Sequence, residues 1–346
     1  MKRRIYIAHT GGTIGMFRTA DGYRPAPGYL AGLMAEMPEL SAADMPAYDF
    51  REYDPLLDSA AMRPRDWRRI AEDIARHHEE YDGFVVLHGT DTMAYTASAL
   101  PFLLEGLRKP VVLTGSQIPL CEVRNDAREN LITAMLVAAQ SDVQEVSLLF
   151  GSRLLRGCRS VKVAANRFEA FDSPNFPSLG RIGVRIDIRQ DLIRRPSGSA
   201  QKLEVAWTET PAVAALRIFP GMSAEFVRSV VRPPLRGLVL ETYGMGNAPT
   251  DDAALMETLA EASKRGVVIV NCTQCVRGRV RMDEYATGSA LGRVDVASGH
   301  DMTAEAALAK MLCLFGRGWS AEAVRDAMGR DLAGELTVPE NKKRDR

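Results

Sequence analysis

Short apolar runs and longer amphipathic segments take turns along this chain. Residues 4–8, 84–87, 111–113 and 146–150 are mainly apolar stretches of strand length. Between them, residues 64–80 repeat apolar positions at helical spacing. Trp67, Ile70 and Ile74 share one face there, and Pro64 lies near the first turn, where its missing N–H costs nothing. Residues 92–104 and 127–139 also read as helices. Runs that stay apolar instead of alternating belong to strands buried on both faces, as in parallel sheets. The alternation predicts an α/β fold.

The pattern breaks at Arg-Arg-Pro-Ser-Gly-Ser-Ala-Gln, residues 194–201, a polar stretch rich in turn formers that has the composition of a linker. Beyond it, strands are expected near 212–218, 237–240 and 267–271, and helices near 224–231, 251–264 and 303–315. The reading is a larger N-terminal parallel-sheet α/β domain over residues 1–193, a linker over 194–211 and a smaller C-terminal α/β domain over 212–346. No internal repeat or low-complexity tract interrupts it.

Composition narrows the partners. With 46% hydrophobic residues in 346, each domain can bury a substantial core. The 44 basic and 44 acidic residues cancel, so no net field draws the chain to nucleic acid or an anionic membrane. No stretch approaches the roughly 20 apolar residues of a membrane span. The basic start Met1-Lys-Arg-Arg4 is followed by an apolar run too short for a secretory signal. Five cysteines, odd in number and scattered, suit reduced thiols in a cytosol. Cys272-Thr-Gln-Cys275 has redox spacing, but it lacks a thioredoxin-like setting and a second pair to complete a zinc site. A small-molecule partner, without metal, is the expectation.

Open parallel sheets bind ligands beyond the carboxyl ends of their strands, so the residues just after each run carry the information. Four runs end in clusters of glycine and small hydroxyl residues. These are His9-Thr-Gly-Gly-Thr-Ile-Gly15, His88-Gly-Thr-Asp-Thr92, Thr114-Gly-Ser-Gln117 and Tyr243-Gly-Met-Gly-Asn247. Glycine lets backbone N–H groups approach a ligand, and hydroxyls supply nucleophiles or hydrogen bonds without bulk. Neither a G-x-G-x-x-G turn nor a Gly-Lys-Ser/Thr is present at these sites, which disfavours a nucleotide. A threonine nucleophile needs a group to take its proton, and Lys162 and Tyr23 are candidates. Taken alone, an isolated lysine is an ordinary surface charge and a tyrosine between Gly22 and Pro25 is ordinary loop packing.

Thr10-Gly-Gly-Thr-Ile-Gly15 and Leu87-His-Gly-Thr-Asp-Thr-Met93 resemble the two signature motifs of bacterial-type L-asparaginases. The similarity continues through Pro55-Leu-Leu-Asp-Ser59, Thr114-Gly-Ser-Gln-Ile-Pro119, Tyr243-Gly-Met-Gly-Asn-Ala-Pro249, Tyr285-Ala-Thr-Gly288 and Gly334-Glu-Leu-Thr337, and looks closest to the cytoplasmic, type I branch. The resemblance implies hydrolysis of L-asparagine by a cofactor-free enzyme in which Thr13 forms an acyl-enzyme. It implies a mobile lid carrying Tyr23, and a second catalytic group of Thr90, Asp91 and Lys162. Asp58, Ser59 and Ala60, with Thr90 and Asp91, would hold the substrate's charged end, and the Ser116 region its side-chain carbonyl. Asn247 would reach a neighbouring subunit's site in a homodimer or tetramer.

The resemblance leaves open which of Tyr23 and Lys162 is the base, and how much glutamine is turned over. Two relatives on the same scaffold are weighed against it: a glutaminase-asparaginase, and the amidase subunit of a tRNA-dependent amidotransferase. The second is disfavoured by the neutral charge and by the absence of an extra domain ahead of Ile5. A non-catalytic asparagine sensor is disfavoured because both threonines and the lysine are present. Some type I enzymes carry an allosteric asparagine site that uses a threonine and an arginine where this chain has Val161 and Glu241. A methyl and an anion cannot bind a carboxylate, so cooperativity should be absent.

Overall fold

The computed structural model describes residues 2–140, 142–195, 203–282, 284 and 286–338. Tyr285, and residues 196–202 of the expected linker, lie outside the described residues. The chain divides into two compact units, Met1–Val205 and Ala206–Arg346. The architecture is the expected α/β one, larger at the N-terminus.

The first unit runs β1 (Arg4–Gly11), a hairpin of β2 (Met16–Thr19) and β3 (Gly22–Pro25), α1 (Tyr29–Ala35), β4 (Ala47–Leu57), α2 (Pro64–His77), β5 (Gly83–Leu87), α3 (Met93–Leu103), β6 (Val111–Thr114), α4 (Ala127–Ala138) and β7 (Val146–Phe150). It closes with β8 (Arg153–Arg156), β9 (Val161–Lys162), β10 (Phe171–Asp172), β11 (Gly180–Ile182) and β12 (Ile186–Ile188). Its main sheet has the order β12-β11-β8-β7-β6-β5-β1-β4. From β4 to β7 the pairing is parallel. The strands β8, β11 and β12 make an antiparallel edge that the apolar-run reading did not foresee. Every residue of β5, β6 and β7 is buried, which explains their mainly apolar, non-alternating sequences. On one face Ile5, Ile7, Val85 and Val112 pack with Leu131 and Met135 of α4.

The second unit runs β13 (Val213–Arg217), α5 (Ala224–Val230), β14 (Gly237–Thr242), α6 (Ala253–Lys264), β15 (Val268–Thr273), α7 (Ala286–Arg293), β16 (Ala297–Ser298), α8 (Ala304–Gly316) and α9 (Ala321–Met328). Its sheet is parallel in that strand order. Alternate residues of β14 enter different cores. Leu238 and Leu240 pack with Leu255 and Leu259, whereas Val239 packs with Met311 and Phe315. The sheet is therefore covered by helices on both faces.

Most expected elements lie within a few residues of their predicted bounds, and two differences matter for the site. The first strand does not stop at Ala8 but continues through Gly11, because it is clamped between β4 and β5, with Gly11 opposite Leu57 and His9 opposite Leu87. The strand β4 escaped the reading because it is the sheet's edge and mixes exposed, charged positions with half-buried ones.

Candidate active site

The chain leaves β1 toward β4 on one side and leaves β5 toward β6 on the other, so a crevice opens beyond the carboxyl ends of β1 and β5. Parallel register brings four strand ends to one level. Gly11 sits opposite Leu57, His9 opposite Leu87, and Leu87 opposite Thr114. The segments that follow, around residues 58, 12, 89 and 116, are consequently side by side.

Gly12 sits at φ 95°, where L side chains are strained, and a Cβ on it would lie 2.5 Å from the Gly89 nitrogen. A Cβ on Gly89 would lie 2.4 Å from the Ser59 hydroxyl oxygen. Backbone contact thus presses the Thr13 turn onto the Thr90 turn, and the Ser59 side chain lies against Gly89. Gly12→Ala must wedge the first two apart. A displacement near 1 Å at a reacting group costs about 100-fold in rate, and we expect at least that loss in ammonia release from asparagine, measured alongside a thermal melt that confirms the variant folds.

The two threonines of the first turn differ in what their hydroxyls do. The buried Thr10 hydroxyl donates to the Leu87 carbonyl at 2.9 Å, so it is committed to the sheet. Thr13 opens a single 3₁₀ turn, is half-buried, and has a hydroxyl that pairs with none of the described residues. Only Thr13 offers a free oxygen.

Lys162, reached through β9, donates from Nζ to Thr90 Oγ1 at 2.9 Å and to Asp91 Oδ1 at 2.8 Å. Its side chain is 21% exposed, which replaces the ordinary surface-lysine reading with a tethered one. Thr90 is itself buried and lies 3.4 Å from Gln117 Oε1. The turn is fixed from behind by His88. Its Nδ1 faces the Gly89 carbonyl at 2.7 Å, so that nitrogen carries the hydrogen, and Nε2 is left to accept from Thr96 at 2.8 Å. Burial pushes the His88 pKa down to about 4, which keeps the ring neutral in this network. Thr92 then ties the turn to the next one, donating to the Ser59 carbonyl at 2.7 Å.

The remaining expected residues fall as follows. Asp58 accepts from the Ala60 N–H at 2.9 Å, shaping the short turn that holds Ser59 buried and Ala60 exposed. Ser116 is buried with a hydroxyl unpartnered among the described residues. Tyr23 stands on the β2–β3 hairpin, 43% exposed, and donates to Glu122 Oε1 at 2.6 Å. That hydrogen bond to a carboxylate raises the Tyr23 pKa above the ordinary tyrosine range. Asn247 belongs to the second unit, where its Oδ1 accepts from Thr287 at 2.6 Å. Cys272 is buried, with its thiol pushed up to about 12 by burial, and Cys275 is exposed; both are free thiols. Among the described residues no cluster could hold a metal, and no helix is long and apolar enough to cross a membrane.

Residues 4–194 match the family described as "Asparaginase, N-terminal", and residues 212–328 match "Glutaminase/Asparaginase C-terminal domain". The chain belongs to the asparaginase family. L-asparaginase 1 of Escherichia coli K12 is 50% identical over 336 residues, covering 97% of this chain and 98% of that one. The crystal structure of L-asparaginase I from Vibrio cholerae superposes with a TM-score of 0.89 at 46% identity, covering 97% of this chain and all of the other. The mouse 60 kDa lysophospholipase is 43% identical over 359 residues, covering 98% of this chain and 63% of that longer protein.

In this asparaginase, three residues near the crevice escaped the sequence reading. Gln117 stood inside a quoted motif, yet nothing in sequence says which way its amide faces. His88 was read as part of a polar cluster and is in fact wholly buried support. Glu122 lies 99 residues from Tyr23, a pairing that no local pattern could signal.

Proposed function

We propose that this chain is an L-asparaginase that hydrolyses L-asparagine to L-aspartate and ammonia through a threonine acyl-enzyme. The observation that carries the reading is the Lys162–Thr90–Asp91 cluster pressed by backbone contact against the turn that presents Thr13. Thr13 Oγ1 attacks the side-chain carbonyl carbon while its proton passes to a base, and that base hands the proton to the amide nitrogen as the C–N bond breaks and NH3 leaves. Water then attacks the ester carbon as the base takes one of its protons, the C–O bond to Thr13 breaks, and the base delivers that proton to the Thr13 oxygen. Glycine-rich turns suit the tetrahedral oxyanion because they can aim backbone amides at it. Asp91, 63% exposed, and the Asp58 carboxylate suit the substrate ammonium, Ser59 and Ala60 its carboxylate, and the Ser116 region its side-chain carbonyl.

Tyr23 stands on an exposed hairpin, which fits a lid, and its bond to Glu122 gives that lid a resting place. Five free thiols fit a reducing cytoplasm. Asn247, completing a neighbouring subunit's site, makes the working unit a homodimer or tetramer.

One experiment tests the reading and its control together: initial rates of ammonia release against asparagine and glutamine concentration. Asparagine is expected to give a hyperbola, because Val161 supplies no hydroxyl and the Glu241 carboxylate, held by Arg217 at 3.7 Å, repels an effector carboxylate. A sigmoidal curve overturns that absence of cooperativity. Glutamine, one methylene longer, is expected to be slower by about 10- to 200-fold. Absence of ammonia from both amides overturns the enzyme reading.

A further inference from the structure

Gln117 has an orientation that its surroundings fix. Its amide nitrogen Nε2 donates to the carbonyls of Ala165 and Arg167, both at 3.1 Å, on the loop that follows Lys162. A carbonyl can only accept, so the two N–H bonds of Gln117 are spoken for and Oε1 must be the atom that faces Thr90. The backbone is pinned as well, since the Gln117 N–H donates to Asp126 at 2.9 and 3.1 Å and the Ile118 N–H donates to the same carboxylate at 3.0 Å.

Thr90 has one hydroxyl hydrogen and two neighbours. Lys162 Nζ, in its ion pair with Asp91, is a donor with no lone pair, so Thr90 Oγ1 accepts from it. The hydroxyl hydrogen is then left for Gln117 Oε1 at 3.4 Å, a contact too long to be strong but sufficient to set a direction. One lone pair of Thr90 remains free.

We propose that Gln117 is a positioning residue for deacylation: by taking the Thr90 hydrogen it leaves Thr90 Oγ1 able only to accept from the attacking water. The water is thereby held with a proton on Thr90 and an oxygen lone pair free for the ester carbon. The covalent steps stay as given above, and this role rests on the reading of Thr90 as part of the site. Without Gln117, the Thr90 hydroxyl can swing and donate to the water, occupying the lone pair that must attack.

The test uses Gln117→Met, Gln117→Glu and Thr90→Val in the full chain. Gln117→Met keeps the length and loses the acceptor. Ammonia is released before the ester is hydrolysed, so slowed deacylation is expected to show as a rapid burst of about one ammonia per site, followed by a steady rate about 10- to 100-fold below the unsubstituted protein, with KM unchanged or lower. A loosened loop would instead raise KM without a burst, and that result, or an unchanged kcat, overturns the proposal. In Gln117→Glu an ionised carboxylate faces two carbonyls, whereas the protonated acid can donate to one of them and still accept from Thr90. The charged groups around that position are Lys162 and Asp91 beyond Thr90, and Asp126 beneath its backbone. Activity of Gln117→Glu, taken as a ratio to the unsubstituted protein at each pH, is expected to climb as pH falls toward the carboxyl range. A flat ratio overturns the proposal even if Gln117→Met fails to fold. Full activity in Thr90→Val overturns the reading of the site itself; an inactive Thr90→Val beside a fully active Gln117→Met overturns only the role given to Gln117.

Discussion

Thr13→Ala is expected to lower ammonia release from asparagine by about 10⁴-fold or more, the scale seen when a covalent nucleophile is removed from a group that acts as a unit. The structure gives this expectation a clean background. The Thr13 hydroxyl bonds none of the described residues, and the backbone of its turn is held by Gly12 against Gly89 and by the Leu120 N–H, which donates to the Ile14 carbonyl at 3.2 Å. Alanine should therefore leave fold and melting temperature nearly unchanged. The measurement is steady-state ammonia release beside asparagine binding by calorimetry. Retained binding with lost turnover is the expected pair, and near-normal turnover would sink the assignment of the nucleophile. Thr10→Ala offers the contrast: it removes a buried bond to the Leu87 carbonyl, and so should cost stability before it costs chemistry.

Lys162→Met comes second, with an expected fall in kcat of about 10³-fold, inside the range for a group that moves a proton in the transition state. Methionine fills the same length of stem yet cannot reach Thr90 and Asp91 with a donor. Lys162→Arg should rescue little, because a guanidinium keeps its proton and its planar fork cannot reproduce one nitrogen placed 2.9 Å from Thr90 and 2.8 Å from Asp91. The fold should tolerate the loss, since Asp91 is more exposed than buried and can return to water. If Lys162→Arg matched the unsubstituted protein in kcat, a proton-carrying role for Lys162 would be excluded.

The fold class was legible because parallel strands buried on both faces leave mainly apolar, non-alternating runs, as at 84–87 and 146–150, and because glycine-hydroxyl clusters follow several of them. The edge strand β4 and the antiparallel β8, β11 and β12 were not. They are short or half-exposed, and their sequences carry no clear period. Within the site, sequence could show that Thr10 and Thr13 both lie in a glycine-rich turn, but only the bond from Thr10 to Leu87 shows which hydroxyl is spent on the sheet. Lys162 looked ordinary because Thr90 lies 72 residues away, and proximity across that distance is a property of strand order. The amide direction of Gln117 is further still from sequence, since backbone carbonyls of Ala165 and Arg167 decide it.

The position of β1 and β5 at the heart of the sheet has one more consequence. All but the first residue of β1, and all of β5, are buried, and the turns that carry Thr13 and Thr90 begin immediately where these strands end. Their amides belong to the part of the molecule that opens last to solvent hydrogen exchange, whereas the hairpin bearing Tyr23 and the edge strand β4 belong to the part that opens first. Thermal loosening should therefore fray the Tyr23 hairpin while Thr13 and Thr90 keep their spacing, so that on heating KM for asparagine is expected to rise before kcat falls.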